Sequence, residues 1–429
     1  MANFKAKEEL LCQLTDKDIQ ALLAIYQHRC LDEQLLCTYI YHPDGANNSA
    51  SSEVTRLLGM RLVEAVDYGQ SCPALFLTTL GVEVVKATSG NLLSAIYQFE
   101  NGKKTLPLSS DLKMHPKIIN HQMHLNSFAL ELESYARPHG YFRYYDEKLM
   151  PPASNFMMPD AMVELADYYV FLEMDMGTEA GGRLAQKWNS YRTFLNDPGA
   201  FYKEKPVVML FIIDGVKNVE LRKRNVTAGI MTHIADRING QFEAYIDGID
   251  GLHEIAKTKL LKRKTSENTP VTDVLRDISE THKYTVSCPA FLNQLDVHCG
   301  FYVRKVTEDR KIQVINGRPQ EFLMDIWLDG RLSVLRNVLY YQRALEQIKK
   351  NTHREIPYLL VVPSEKAACA MLKVLGISQP SGIFITTPDR LAQKSWPNAL
   401  FCIDQLWNLN RYIDDSLTET AHEKRLFRF

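Results

Sequence analysis

Acidic residues stand inside the two apolar runs of one stretch, NFMMPDAMVELADYYVFLEMDMGTE, from Asn155 to Glu179. Asp160 follows a proline, and Glu173 and Asp175 are two apart. On an extended chain that spacing points both side chains to one face. A carboxylate buried among apolar groups is costly unless it is paired or binds a metal. Magnesium prefers oxygen ligands and is commonly held by one or two carboxylates with water and phosphate. Asp160, Glu173 and Asp175 are therefore the candidate metal ligands, for Mg²⁺ with Mn²⁺ as its substitute. Such an ion polarises a scissile phosphate and activates a water. Lys187 and Tyr191 complete the candidate catalytic set. They are four apart, so on a helix they share a face. A lysine such as Lys187 would stabilise developing charge or orient the water. A tyrosine can also attack a phosphodiester covalently, which gives Tyr191 a second reading. The plainer readings are a turn at Pro159-Asp160, a solvated Glu-x-Asp face and a core tyrosine.

The elements that must position these residues follow from periodicity. INHQMHLNSFALELESYARPHG carries apolar residues at helical spacing and stops at Pro138 and Gly140. Three strand candidates come next: YFRYYDEKL, FMMPDAMVELA and YYVFLEMDMG. EAGGRLAQKWNSYRTFLND reads as a helix that Glu179 caps, PVVMLFIID as a buried strand, and QFEAYIDGI as a closing strand after a further helix. The order α-β-β-β-α-β resembles the core of restriction-endonuclease-like nucleases, whose signature is PD…(D/E)xK. Asp175 stands where that signature has lysine, and Lys187 on the next helix is the nearest replacement.

Ahead of this lies a shorter pattern. LTDKDIQALLAIYQHRC opens with Thr15 and Asp18 in a capping arrangement. LDEQLLCTYIY and ASSEVTRLLGM follow as helices, then RLVEAV and ALFLTT as the two strands of a hairpin around DYGQSCP. Three helices and a hairpin is the winged-helix order, with the third helix in the major groove. Its candidate DNA-binding residues are Ser51, Ser52, Thr55, Arg56 and Arg61, since hydroxyls suit phosphates and base edges and arginine suits guanine or phosphate. Winged helices also serve as protein-docking modules.

The 429-residue chain has a net charge of −1, is 45% hydrophobic and is 24% charged, the balance of a soluble globular protein. That charge argues against blanket binding to nucleic acid but leaves local basic patches open. The eight cysteines form no CxxC pair and read as reduced thiols, and Cys30 and Cys37 lack a standard zinc spacing. No apolar run is long enough to span a bilayer, and MANFKAKEELLCQL has no signal-peptide pattern, so no membrane and a cytoplasmic location are expected.

The blocks LTDKDIQALL, LLGMRLVEAV and LFLTTLGVEVV, together with PDAMVEL and FLEMDMGTEAGGRLAQKWNSYRTF, resemble the replication-relaxation proteins of plasmids and other mobile elements. The resemblance runs from about Leu14 to Asp214. It implies a winged helix joined to a nuclease-like domain, acting on double-stranded DNA at an origin-like site of replication or transfer. It carries over Asp160, Glu173, Asp175, Gly177, Thr178, Glu179, Lys187 and Tyr191 as motif residues.

The predicted fold class is α/β and α+β multidomain. The winged helix spans 10–98, a linker 99–117 with Lys103, Lys104, Lys113 and Lys117, and the restriction-endonuclease-like αβββαβ domain 118–256. A basic linker, 257–273, carries Lys257, Lys259, Lys262, Arg263 and Lys264. A second α/β domain fills 274–429. There FLMDIWLDGRLSVLRNVLYYQRAL can be set against FLEMDMGTEAGGRLAQKWNSYRTFL, and PYLLVVPSE against PVVMLFIID, as a degenerate second copy. On that reading Asp325 is kept, Arg336 and Tyr340 repeat the spacing of Lys187 and Tyr191, and KIQVINGRPQ stands where Pro-Asp is missing. The copy would serve dimer or DNA contact, in a homodimer. Convergent α/β patterning is the alternative. Three functions stay open: a metal-dependent DNA nuclease or nickase, a non-catalytic replication or transfer factor, and a transcription regulator.

Overall fold

The computed structural model describes residues 9–43, 51–96, 106–150, 157–177, 181–197, 204–261, 270–292, 295, 297–315, 318–377 and 380–411. The chain forms two compact units. The first comprises Met1–Val219, Gly240–Phe242 and Ile246–Lys262; the second comprises Glu220–Asn239, Glu243–Tyr245 and Arg263–Phe429. Thr178, Glu179, Lys103, Lys104, Lys262, Arg263 and Lys264 lie outside the described residues, as do the last residues, 412–429. Among the described residues no helix is long and apolar enough to cross a membrane. None of the eight cysteines is joined in a disulfide, and Cys30 and Cys37 are buried.

In the first unit, α1 (Asp16–His28) starts on the expected capping box, Thr15 and Asp18 satisfying each other's ends. A short helix, α2 (Glu33–Leu36), continues as a wider turn through Tyr41, and α3 (Ser51–Gly59) follows. β1 (Val63–Val66) and β2 (Ala74–Leu77) then pair antiparallel, and α4 (Thr79–Ile96) packs back on β2 and α1. Three helical segments and a hairpin thus appear in the predicted order.

After the short α5 (Ser109–Leu112) comes α6 (Pro116–Ala136), with proline at its first turn, where no N–H is needed. Its Asn126 donates to the carbonyls of His28 (3.0 Å) and Cys30 (2.6 Å), and Gln122 donates to Asp146. Arg29 reaches the same buried Asp146 and the neighbouring Glu147. This polar seam ties the end of α1 to α6 and to the first strand of the sheet. Burial raises the Asp146 carboxyl to about 7 although Arg29 opposes the shift.

The sheet has the order β3-β4-β5-β6-β7. β3 (Phe142–Asp146), β4 (Ala161–Leu165) and β5 (Tyr169–Asp175) pair antiparallel in sequence. β6 (Val207–Ile213) joins β5 in parallel, and α7 (Gly181–Asn196) makes the crossover between them. Every residue of β5 and β6 is buried, as expected for central strands covered on both faces. α8 (Val219–Ile234), β7 (Phe242–Gly248) and α9 (Ile249–Ile255) follow.

In the second unit, α10 (Pro270–Arg276) precedes β8 (Thr285–Ser287) and β9 (Phe301–Arg304). A two-residue ladder, β10 (Val314–Ile315) with β11 (Arg318–Pro319), leads to β12 (Glu321–Ile326). Then come α11 (Leu332–Thr352), β13 (Tyr358–Val361), α12 (Glu365–Val374) and β14 (Ile383–Thr386). β15 (Phe401–Ile403) and β16 (Leu409–Arg411) extend the edge, giving the order β16-β15-β14-β13-β12-β9-β8. β8-β9 and β9-β12 are antiparallel and β12-β13 is parallel, the same senses as β3-β4, β4-β5 and β5-β6. The chain is thus a mixed α/β protein with several sheets.

Candidate active site

The pairing of β4 with β5 places Ala161 opposite Leu172. One step further along the register, Asp160 falls opposite Glu173, and Pro159 opposite Met174. The two carboxylates predicted thirteen residues apart therefore meet at the end of a hairpin. Asp160 Oδ2 accepts the backbone N–H of Met174 at 2.8 Å.

Glu173 is 1% exposed and is served from α7. Lys187 Nζ donates to Oε2 at 2.6 Å, and the Tyr191 hydroxyl donates to Oε1. The four-residue spacing puts both donors on the inner face of α7, where Trp188 and Phe194 anchor the helix in the core. Burial pushes the Glu173 carboxyl up to about 7; Lys187 works against that shift and Asp160 adds to it. Tyr191 is fully buried, and burial together with Glu173 holds its phenol well above the usual value. Its hydroxyl is spent on Glu173, which suits orientation of that carboxylate better than attack on a phosphodiester.

Asp175 lies on the same face two residues on, buried, with Oδ1 accepting the N–H of Gly177 at 3.0 Å. Gly177 has φ +73°, and a Cβ there would come within 2.6 Å of Val216, so the turn after β5 requires glycine. Among the described residues, no group of three or more His, Cys, Asp or Glu side chains is arranged to hold a metal ion. The donors brought together at the hairpin end are Asp160 and Glu173.

Two histidines that periodicity alone did not single out complete the site. His121, on α6, places Nε2 at 3.0 Å from the Met174 carbonyl and 3.5 Å from Asp160 Oδ2. His124, one turn on, pairs with Asp214 just past the end of β6, and the Asp214 N–H donates to the Asp175 carbonyl at 3.0 Å. Burial disfavours the His121 imidazolium, but Asp160 and the Met174 carbonyl outweigh it and raise its pKa. Burial likewise works against the Asp160 carboxylate, and His121, Lys187 and the Met174 N–H outweigh it and lower its pKa. The result is an alternating line of charge, His121–Asp160–Lys187–Glu173, whose partly exposed members are His121, Asp160 and Lys187.

The candidate DNA-binding residues divide. Ser51, Ser52, Thr55 and Arg61 are exposed. Arg56 is not a free surface cation: its Nη2 lies 2.6 Å from both oxygens of Asp18, which is fully buried, and Nη1 reaches the Gln13 carbonyl. Burial opposes the Asp18 carboxylate, but Thr15 and Arg56 outweigh it and hold its pKa below the usual value. Arg56 therefore ties α3 to α1.

In the second unit, Met324 pairs with Phe301, so the register brings Asp325 opposite Gly300. Asp325 is buried and accepts from the Gly300 N–H (2.7 Å), from Asn337 Nδ2 (3.0 Å) and from the Tyr358 hydroxyl. Asn337 on α11 thus meets Asp325 as Lys187 meets Glu173, and Tyr341 follows four residues later. The expected pair Arg336 and Tyr340 is displaced by one position. Arg336 turns instead to the Ile238 carbonyl and the Asn337 side chain. The residue opposite Asp325 is Gly300, not part of KIQVINGRPQ, which forms the short β10–β11 ladder.

Compared with known protein families, residues 22–208 match the family described as Replication-relaxation. No curated protein and no solved structure matches the chain.

Proposed function

We propose that this chain, which belongs to the replication-relaxation family, is a DNA-binding protein of plasmid or mobile-element replication or transfer whose five-stranded sheet carries a metal-dependent nicking site. In this reading the N-terminal helices and hairpin form a winged helix on double-stranded DNA at an origin-like site. Ser51, Ser52, Thr55 and Arg61 face the duplex from α3 and the turn after it.

The observation that carries the reading is the meeting of Asp160, Glu173 and Lys187 at the end of the β4–β5 hairpin. The order of helices and strands around it resembles the restriction-endonuclease-like core. Asp160 and Glu173 offer the oxygen donors that Mg²⁺ or Mn²⁺ takes, and two carboxylates suffice when water and a phosphate fill the remaining positions. When bound, the ion supplies Lewis-acid polarisation of the phosphate and lowers the pKa of a bound water. Lys187 takes the place of the lysine of the PD…(D/E)xK signature: it opposes the rise that burial imposes on the Glu173 carboxyl and sets a positive charge beside the reacting phosphate. Tyr191 fixes the rotamer of Glu173 from the buried side.

The test is supercoiled plasmid carrying the element's own origin, with and without Mg²⁺. Conversion to open circle by the wild type and not by Asp160→Ala is the expected result. Cleavage that survives in Asp160→Ala removes the site assignment.

A second reading has its own observation. Asp175 stands in place of lysine, and no three-ligand metal group forms among the described residues. On that reading the fold is a non-catalytic platform, and footprinting would reveal protection without strand scission.

A further inference from the structure

Beyond the end of β4 the last residues of β5 keep β6 on one side but have no strand partner on the other. The register sets Pro159 opposite Met174, and a proline has no N–H to give to the Met174 carbonyl. Two side chains stand in. The Asp160 carboxylate accepts the Met174 N–H at 2.8 Å, and His121 Nε2 meets the Met174 carbonyl at 3.0 Å. A carbonyl oxygen only accepts, so Nε2 carries a proton and donates. The same N–H faces Asp160 Oδ2 at 3.5 Å, which closes a ring of His121, the Met174 backbone and Asp160. Met174 lies between Glu173 and Asp175, so this ring holds the strand segment that presents both acidic side chains.

The second unit offers an internal comparison. There Gly300 replaces the acidic residue opposite Asp325, and the backbone contact runs the other way, from the Gly300 N–H to Asp325. The carbonyl of Ile326, the residue after Asp325, receives Arg331 at 3.4 Å rather than a histidine. Where a glycine stands in place of the second carboxylate, an arginine thus meets the carbonyl that a histidine meets in the first unit.

Resting on the metal-site reading above, we propose that His121 is the positioning residue of the site: it supplies the donor that Pro159 cannot, and so fixes Asp160 and the end of β5 where a divalent cation takes both carboxylates. Groups of this kind behind a metal ligand change metal affinity by about 10- to 100-fold when removed.

The test uses the full chain with His121→Ala and His121→Gln, the latter keeping an N–H donor on a longer amide. His121→Asn, polar but shorter, stands in should the alanine variant not fold. Two readouts are taken: the crystal structure of the metal-free variant, and Mn²⁺ uptake followed by electron paramagnetic resonance. In His121→Ala, Asp160 is expected to leave the Met174 N–H and the half-saturating Mn²⁺ concentration to rise about tenfold or more. His121→Gln is expected to stay near the wild type in both. An alanine variant with Asp160 in place and unchanged Mn²⁺ uptake overturns the proposal. If the wild type takes up no Mn²⁺, the metal reading falls, and the position of Asp160 in the variant alone decides the role of His121.

Discussion

Lys187 Nζ lies 2.6 Å from Glu173 Oε2, a contact between residues fourteen apart that a strand and the helix after it bring together. Glu173 is buried deeply enough that its carboxyl is already raised to about 7. Removing Lys187 removes the main group opposing that rise, so the carboxyl stays protonated further into the alkaline range. A protonated carboxyl is a poor metal ligand. Because the group neutralises itself, the stability cost of Lys187→Ala is only about 1–3 kcal/mol. Nicking near neutral pH is expected to fall about a hundredfold or more. Plasmid nicking and thermal melting of the same preparation check both, and a variant that nicks at the wild-type rate refutes the role given to Lys187.

Arg56 and Arg61 separate two roles that look alike in the sequence. Arg56 neutralises buried Asp18, so Arg56→Ala strands a carboxylate that the α1 capping box also needs. Arg56 keeps a third of its side chain exposed, which tempers the loss to about 1–3 kcal/mol. Arg61 is exposed in the turn after α3. Arg61→Ala is expected to leave the melting temperature unchanged, to weaken DNA binding, and to lower the salt dependence of binding by about one phosphate contact. Melting curves with gel-shift titrations at two salt concentrations resolve the pair. Equal loss of DNA affinity in both variants, with no change in melting, would return Arg56 to the DNA surface.

His28 gives the first unit an acid-sensitive point. It is buried, stacks on Tyr144 at 4.1 Å, and has a ring Nδ1 without a hydrogen-bond partner. Burial lowers its pKa to about 4, against 6.5 when unfolded. The unfolded chain therefore binds the proton first as pH falls through 6.5, and stability is lost down to about pH 4. Glu173 and Asp146 act in the opposite sense: their pKa values are raised in the fold, so protonation below 7 stabilises it. His28→Phe keeps the stacking and removes the titration. Its advantage over the wild type should grow by about 2 kcal/mol between pH 7 and pH 5. Urea melts at the two pH values measure this, and a constant difference would exclude His28 as the acid-sensitive group.

The acidic pair and its donors were legible because both patterns are local. Two-residue spacing on a strand and four-residue spacing on the next helix each define a face, and the hairpin joins them. His121 was not legible. It sits on a long helix with polar residues on several faces, and what selects it is the missing donor at Pro159, a fact about the neighbouring strand. Arg56 misled for a related reason. Its side chain is only partly exposed, and Asp18, already assigned to the capping box, is buried against it and claims the charge. In the second unit, matching by residue type chose Arg336 and Tyr340. Burial sets the true register: Asn337 and Tyr341 face inward, and the basic residue beside them does not.

That register yields the last prediction. Asp325 receives three donors, from Gly300, Asn337 and Tyr358, and stands opposite a glycine. It has no second carboxylate across the strand, and its pKa is raised by burial against those hydrogen bonds. Asp325→Asn would turn an amide N–H₂ toward groups that are themselves donors. The expected cost is about 1–3 kcal/mol of stability, with no change in nicking. Glu173→Gln should lose nicking as well as stability, because one amide oxygen is left for two donors, Lys187 and Tyr191. Measured side by side, melting and nicking decide which sheet holds the reacting centre. Loss of nicking in Asp325→Asn at an unchanged melting temperature would move that centre to the second unit.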